Sequence, residues 1–349
     1  MKKILIATLV GLFLLITAAI TLPFLFKDKI IAYVVDRANE ELTAEIQYDE
    51  VNISLLRSFP RIRLGLNDFT LISKDSTAKF DTISRIDDFY FSINMSDLWK
   101  DPDQIAIKEF DLSGGILNLY IDDQGKANYL IYEDPSGTHS ADSSSTGELK
   151  NISLDKYRIS GIDIQYHDVS GDIQLSVKGL NHEGTGNFDA VKFTLDTETN
   201  WENLNLIYEG TSYISNLNGE SRLKLLADTE KQRYELLDNY LKFNELKLES
   251  DGLVAMQNEF TEVDLRFSAP ETDFSQVLSL IPGIYQHHFK DLDTRGRFTC
   301  QGFIKGQIGP DERVPAFELI ADVNEGYFKY SELPESVSDI NAHIEIRQS

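Results

Sequence analysis

KEFDLSGGILNLYIDDQGKANYLIY, residues 108–132, is built on a two-residue period. Successive side chains of a strand point to opposite faces, so Leu117, Leu119 and Ile121 share one face and Ile116, Asn118 and Tyr120 the other. Asp122-Asp123-Gln124-Gly125 supplies turn residues before a second strand-like run. Ile105 and Ile107 lead into the stretch and precede Phe110 and Leu112. The same alternation extends in both directions. Ile62, Leu64 and Leu66 alternate with Arg61, Arg63 and Gly65, and Ile162, Ile164 and Tyr166 lead to Ile173, Leu175 and Val177. Leu204, Leu206 and Tyr208 follow, then Leu246 and Leu248, Leu265 and Phe267, and the set Phe317, Leu319, Ala321 and Val323. Short alternating runs bounded by Gly, Asn and Asp predict a mostly β chain of antiparallel hairpins. Ser170-Gly171-Asp172, Asp238-Asn239 and Asp251-Gly252 are expected turns.

Helices are expected in few places. Phe274, Val277, Leu278 and Ile281 stand behind a candidate N-cap, Asp273, and ahead of Pro282-Gly283, so one short helix is predicted near 273–281. Ser96-Asp97-Leu98-Trp99 reads as a single turn closing the strand of Phe89, Phe91 and Ile93.

The amino end has a different period. Residues 4–26 carry no charged side chain, behind a short tip, residues 1–3, with Lys2 and Lys3. A helix of that length crosses a hydrocarbon layer of about 30 Å. Ile4, Leu12, Phe13, Leu22 and Phe26 are among its expected membrane-anchor residues. Residues 27–44 read as an amphipathic helix, with Ile30, Ile31, Val34, Val35, Ala38 and Leu42 at three- and four-residue steps. A cleaved secretory signal is the competing reading, with Thr17-Ala18-Ala19 as its small-residue site, but the apolar run outlasts the usual h-region of up to about 15 residues. The lysines of the tip put it in the cytoplasm, with residues 45–349 across the membrane.

Composition sets limits. The 33 Lys and Arg against 57 Asp and Glu leave a net charge of −24 in 349 residues, a sign that repels nucleic acid. One cysteine, Cys300, cannot form an internal disulfide, and its alternation with Phe298 suits a small buried hydrophobe. Residues 133–148, EDPSGTHSADSSSTGE, have no apolar side chain larger than alanine and read as a flexible loop, either an insertion in one sheet or a linker between two domains. Val337, Ile340, Ala342, Ile344 and Ile346 run to the end of the chain as a strand, which reads as the amino-terminal part of something longer.

Motifs of chemistry are missing. There is no dinucleotide or phosphate-loop glycine pattern and no nucleophile elbow. His287-His288 are adjacent, which on a strand turns the rings to opposite faces, and His167-Asp168 and Asp122-Asp123 read as turn chemistry rather than metal ligands. No catalytic, cofactor-binding or metal-binding residue is assigned and no enzyme activity is expected, although a carboxylate pair of the glycosidase kind stays open among so many acids.

A lysine-led anchor and an amphipathic helix are followed by EIQYDEVNISLLRSFPRIRLGLNDFTLI at residues 45–72. With KEFDLSGGILNLYIDDQGKANYLIY, then DNYLKFNELKLESDG at 238–252 and GYFKYSELPESVSDINAHIEI at 326–346, this ordered set resembles the AsmA-like envelope proteins of Gram-negative bacteria. The resemblance implies an inner-membrane anchor, a periplasmic body and a long twisted antiparallel sheet curled into a groove with an apolar floor. It also implies a part in moving phospholipid toward the outer membrane, with no cofactor and no catalytic residues. Leu117, Leu119, Ile121, Leu204 and Leu206 are then candidates to line the groove. An acyl chain of 16 carbons costs on the order of 12 kcal/mol in water, so a continuous apolar track needs width and length rather than specific chemistry. Some fifteen strands at their usual spacing would make a track of roughly 70 Å. Alternation alone suits an ordinary sandwich core equally well. The competing functional readings are an anchored scaffold that binds envelope proteins by adding strands to a sheet edge, and an envelope hydrolase.

Overall fold

The computed structural model describes residues 31–32, 35–40, 42–54, 60–74, 81–99, 106–131, 152–188, 190–257, 259–278, 292–309, 314–330 and 334–348. These hold fifteen strands and few helical turns, so the chain is mostly β. It divides into two compact units, Met1–Ile121 with Lys126–Ser153, and Asp122–Gly125 with Leu154–Ser349.

In the first unit β1 (Ala44–Gln47) and β2 (Glu50–Ser54) line one edge of β3 (Arg61–Ser73), which continues to β4 (Thr82–Asn94) and β5 (Ile107–Ile121), all antiparallel. The alternation read from Arg61 to Leu66 is realised. Ile62, Leu64 and Leu66 are buried, opposite Ile93, Phe91 and Phe89 of β4. Residues 31–32 and 35–40 are helical, and Ile31 and Val35, 1% and 7% exposed, join that cluster with Val51 of β2. The covered face has a polar reverse. Arg61 pairs with Glu109, and Arg63 reaches Asp111 at 2.9 Å while its guanidinium lies 4.4 Å over the Tyr90 ring. Met95–Trp99 forms the expected turn, as a 3-10 helix.

The second unit is a meander in which each strand pairs antiparallel with the next. From Leu154 onward β6 (Ile152–Asp168) is followed by β7 (Ile173–Thr185), β8 (Lys192–Tyr208), β9 (Thr211–Asp228) and β10 (Arg233–Phe243). Then come β11 (Leu246–Met256), β12 (Thr261–Asp273), β13 (Leu292–Ile308), β14 (Ala316–Tyr330) and β15 (Val337–Gln348). The Ser170-Gly171-Asp172 turn is present, with the Asp168 carboxylate accepting from the Ser170 hydroxyl at 2.7 Å and the Gly171 amide at 2.8 Å. Those bonds hold the Asp168 carboxyl below its ordinary range. Phe274–Leu278 is helical behind Asp273, whose carboxylate accepts from the Ser275 amide at 2.8 Å.

Three expectations need correction. Asp238-Asn239 is no turn; it lies inside β10, where Asp238 has φ 52°. Asp251-Gly252 likewise lies inside β11, with Gly252 at φ 142°. Past the Asp122–Gly125 turn, whose Gly125 amide donates to Asp122 O at 3.1 Å, the described residues of the second run, 126–131, form the bridge Ala127 to Ile121 and no strand.

The first two corrections have one cause. Left-handed or bulged residues occur in mid-strand at Gly161, Gly179, Asn216, Asp238, Gly252, Gly296, Glu325 and Asp339. The register shifts by one residue between Ile159 and Ile162, Trp201 and Leu204, and Leu236 and Asn239. A slip of one residue turns every later side chain to the other face, unless the sequence shifts phase with it. It does shift. Along β9 Leu217 and Leu225 share a face, and they oppose Leu204 and Leu195, which stand an odd number of residues apart in β8. The amides freed at the bulges are taken up by side chains. Gly161 N donates to Asn181 Oδ1 at 2.9 Å, Gly179 N to Asp163 Oδ1 at 2.9 Å and Asn216 N to Asn205 Oδ1 at 2.9 Å.

Four glycines sit directly opposite aromatic rings: Gly65 and Tyr90, Gly184 and Tyr157, Gly219 and Trp201, Gly302 and Phe267. A Cβ on Gly219 would stand 2.1 Å from the Trp201 ring, so the ring lies down on the backbone where a side chain would have been.

Candidate functional site

The register assembles an apolar face across the second unit. Leu195, Leu225, Leu236, Gly252, Leu265, Ile304 and Phe317 form one row over seven strands, roughly 30 Å at the usual strand spacing. A second row runs Ile164, Val177, Leu204 and Leu217, and a third Tyr166, Leu175, Leu206 and Ile214. The candidates Leu204 and Leu206 therefore lie on this face. Leu117, Leu119 and Ile121 lie in β5 of the first unit, half-buried, with Leu117 opposite Ser84. Ile4, Leu12, Phe13, Leu22 and Phe26 lie outside the described residues, as do His287 and His288. Among the described residues no helix is long and apolar enough to cross a membrane.

Coverage sets this face apart. Leu175, Leu204, Leu206, Leu225, Leu265, Ile304, Phe317 and Leu319 are only half-buried, and Ile344 and Ile346 of β15 are 52% and 47% exposed, whereas Val177, Leu217 and Val263 on the same face are buried. The short helix Phe274–Leu278 packs on β13 and β12. Cys300, opposite Ala269 and Ala321 on this face, is half-buried rather than enclosed, and burial pushes its thiol up.

The reverse face is charged. Glu183 meets Arg158 at 3.5 Å and Lys156 at 3.7 Å, Arg222 meets Asp196 at 3.2 Å, and Arg266 meets Asp251 at 2.8 Å. Lys305 meets Asp264 at 2.7 Å and holds that carboxyl below its ordinary range. These pairs are exposed and contribute little stability each. An open concavity of about 840 Å³ lies on β10–β14, with Tyr240, Lys247, Arg266, Phe303 and Glu318 in its lining.

The apolar face carries polar residues, among them a cluster that alternation did not reveal. His182 Nε2 stands 3.0 Å from the Tyr157 hydroxyl and Nδ1 stands 2.8 Å from Thr199 Oγ1. Burial lowers the His182 pKa and raises that of Tyr157. These residues are 17 and 25 positions apart in sequence, so only the register joins them.

No curated protein matches this sequence. A family model described as AsmA family matches residues 1–284. With most of its length matched, the chain belongs to the AsmA family.

Proposed function

We propose that this protein shields lipid acyl chains on the apolar face of its sheet, as an inner-membrane-anchored periplasmic part of phospholipid transport toward the outer membrane. Membership of the AsmA family points to a transport-related role at the cell envelope. The observation that carries the finer reading is the apolar face of β6–β14, many of whose Leu, Ile and Phe side chains stay half-buried in rows that run across strands while the reverse is charged. Removing acyl chains from water is worth about 0.8 kcal/mol per methylene, and a face of that chemistry offers the removal without a fixed binding geometry. The mid-strand bulges bend and twist their strands, which favours a curved sheet over a flat one. Residues 4–26 are the anchor in this reading, and we assign it no reaction, cofactor or nucleic-acid partner.

The test is mass spectrometry of lipid carried by residues 31–349, purified without added lipid. Phospholipid retained at a fixed ratio supports the reading, and a lipid-free, monodisperse protein defeats it. A second reading draws on β15, where Val337, Ile344 and Ile346 are about half exposed. There an envelope protein partner would add a strand to the sheet, and a stoichiometric protein partner with no lipid would favour it.

A further inference from the structure

We infer that the concavity on the charged face of β10–β14 binds a neutral glycan, whose sugar rings pack on Phe303 and hydrogen-bond to the ion pairs around it. The site stands apart from the acyl-shielding reading, because it lies on the other side of the sheet. Asp251, Arg266, Phe303 and Glu318 oppose one another across β11–β14. Each is the chain neighbour of a member of the apolar row, Gly252, Leu265, Ile304 or Phe317, so all four face away from that row. The concavity, of about 840 Å³, has the size of a ligand site.

The aromatic ring of that row has no stacking partner. Lys247 stands 4.8 Å over the Tyr240 ring and Arg295 5.3 Å over Tyr327, but among the described residues no cation or second ring stacks on Phe303. Its cross-strand neighbours are engaged on their far sides. The Arg266 guanidinium meets Asp251 of β11 with Nε at 3.0 Å and Nη2 at 2.8 Å, and Glu318 meets Arg347 of β15 at 2.7 Å. Next along β13, Lys305 reaches across to Asp264 at 2.7 Å. Phe303, half-buried, is an apolar patch bordered by polar groups.

Charge and hydrogen-bond accounting select the ligand. Lys247, Arg266 and Lys305 are matched by Glu249 at 2.8 Å, Asp251 and Asp264, and Glu318 is matched by Arg347. Asp238, at the β10 end, is the remaining carboxylate of the lining. An anionic ligand has to displace a carboxylate from its cation and meets Asp238 besides. A cationic ligand finds the other four carboxylates committed. Pairing exhausts the charges but not the hydrogen bonds. A guanidinium carries five N–H donors, an ammonium three and a carboxylate about four acceptor sites. Hydroxyl groups both donate and accept, so a polyol engages these pairs without parting them. Ser268 and Gln301, opposite each other beside Glu249, extend the same chemistry. A pyranose also offers a face of C–H bonds, which suits the negative face of the Phe303 ring. A hydrocarbon chain meets the ring alone and leaves the polar border without partners.

The experiment titrates the full chain, held in a polyoxyethylene detergent that contributes no sugar, with N-acetylglucosamine trimer or maltotriose and reads saturation transfer to the sugar protons. Trimers of glucosamine and of galacturonic acid serve as the cationic and anionic counterparts. A neutral trimer is expected to bind saturably and more tightly than either charged one. Phe303→Tyr keeps the ring and is expected to keep the affinity, whereas Phe303→Leu keeps an apolar side chain without the ring and is expected to weaken it about tenfold. Hydrogen exchange across β12–β14 checks that both variants retain the sheet, and Leu206→Ala, on the apolar face, is expected to leave sugar binding unchanged. Equal affinity of Phe303→Leu and Phe303→Tyr takes the ring out of the site and overturns the inference. Tighter binding of a charged trimer overturns it as well, and so does the absence of saturable binding by both neutral trimers. Lipid retained by a chain that binds no sugar leaves the acyl-shielding reading standing.

Discussion

Two sheets with the same alternation end in different states. In the first unit Ile62, Leu64, Leu66 and Ile93 are nearly inaccessible, clustered with Ile31 and Val35 and with Val51 of the neighbouring β2. In the second, Leu204, Leu206, Leu225 and Phe317 occupy equivalent alternating positions and stay half-buried. A period of two says which side chains share a face, but it does not say whether another layer covers them. The covering residues come from a stretch with a different period, the helical residues 31–32 and 35–40. The difference separates apolar side chains enclosed by a second layer from apolar side chains that stay half-buried.

Matched truncations break that comparison most directly. Leu64→Ala opens a cavity in the enclosed cluster and is expected to cost about 3 kcal/mol, with lost hydrogen-exchange protection in β3 and β4. Leu206→Ala removes a similar side chain from a half-buried site, so a cost of about 1 kcal/mol is expected, together with reduced lipid retention. Equal costs at the two positions would mean that the second face is covered after all.

The next effect lies on the apolar face itself. Gly219→Ala puts a methyl group into the Trp201 ring, whose Nε1 donates to Leu217 O at 3.0 Å and whose edge meets Phe243 at 6.0 Å. The ring has to leave its place, at an expected cost of about 2 kcal/mol. Tryptophan fluorescence reads the move, because the only other tryptophan, Trp99, is remote in sequence.

How far the sequence reaches can be judged residue by residue. Strand type, the face shared by Ile164 and Tyr166 and the short helix behind Asp273 were all legible, because each depends on local period or a local cap. Asp238-Asn239 and Asp251-Gly252 were misread as turns for a physical reason. Asn, Asp and Gly tolerate the backbone conformations that bulges require, and the same tolerance marks turns. Only the neighbouring strands tell the two apart. Partnerships across the sheet were out of reach altogether, since the Tyr157, His182 and Thr199 cluster and the rings lying on glycines exist only once the register is set.

The bulges offer a smaller test. Asn205 accepts from the Asn216 amide at 2.9 Å and donates to Asn203 Oδ1 at 2.6 Å, so it ties down the place where β9 changes phase. Asn205→Ala is expected to cost about 1 kcal/mol, since water can reach the freed amide of an exposed residue. Exchange of the β8 and β9 amides should rise near residue 216 and remain unchanged in β3.

The smallest effects separate an exposed histidine from a half-buried one. His343 donates to Asp322 at 2.6 Å, and that hydrogen bond, with the carboxylate charge behind it, raises its pKa above the ordinary 6.5. Its contribution is complete below pH 6.5 and lost as the pH climbs through the raised value. His182 is opposite in sign. Burial lowers its pKa, so its contribution is present above 6.5 and lost as the pH falls through the lowered value. Denaturation midpoints between pH 5 and 8 should therefore lose their acid-side decline in His182→Gln and gain a steeper one in His343→Gln. Salt distinguishes them further. The His343 pair is open to solvent and should fade at 1 M salt, where screening acts within about 3 Å, while desolvation of His182 is indifferent to ionic strength. A His182 effect that disappears with salt would mean that charge rather than burial sets its pKa.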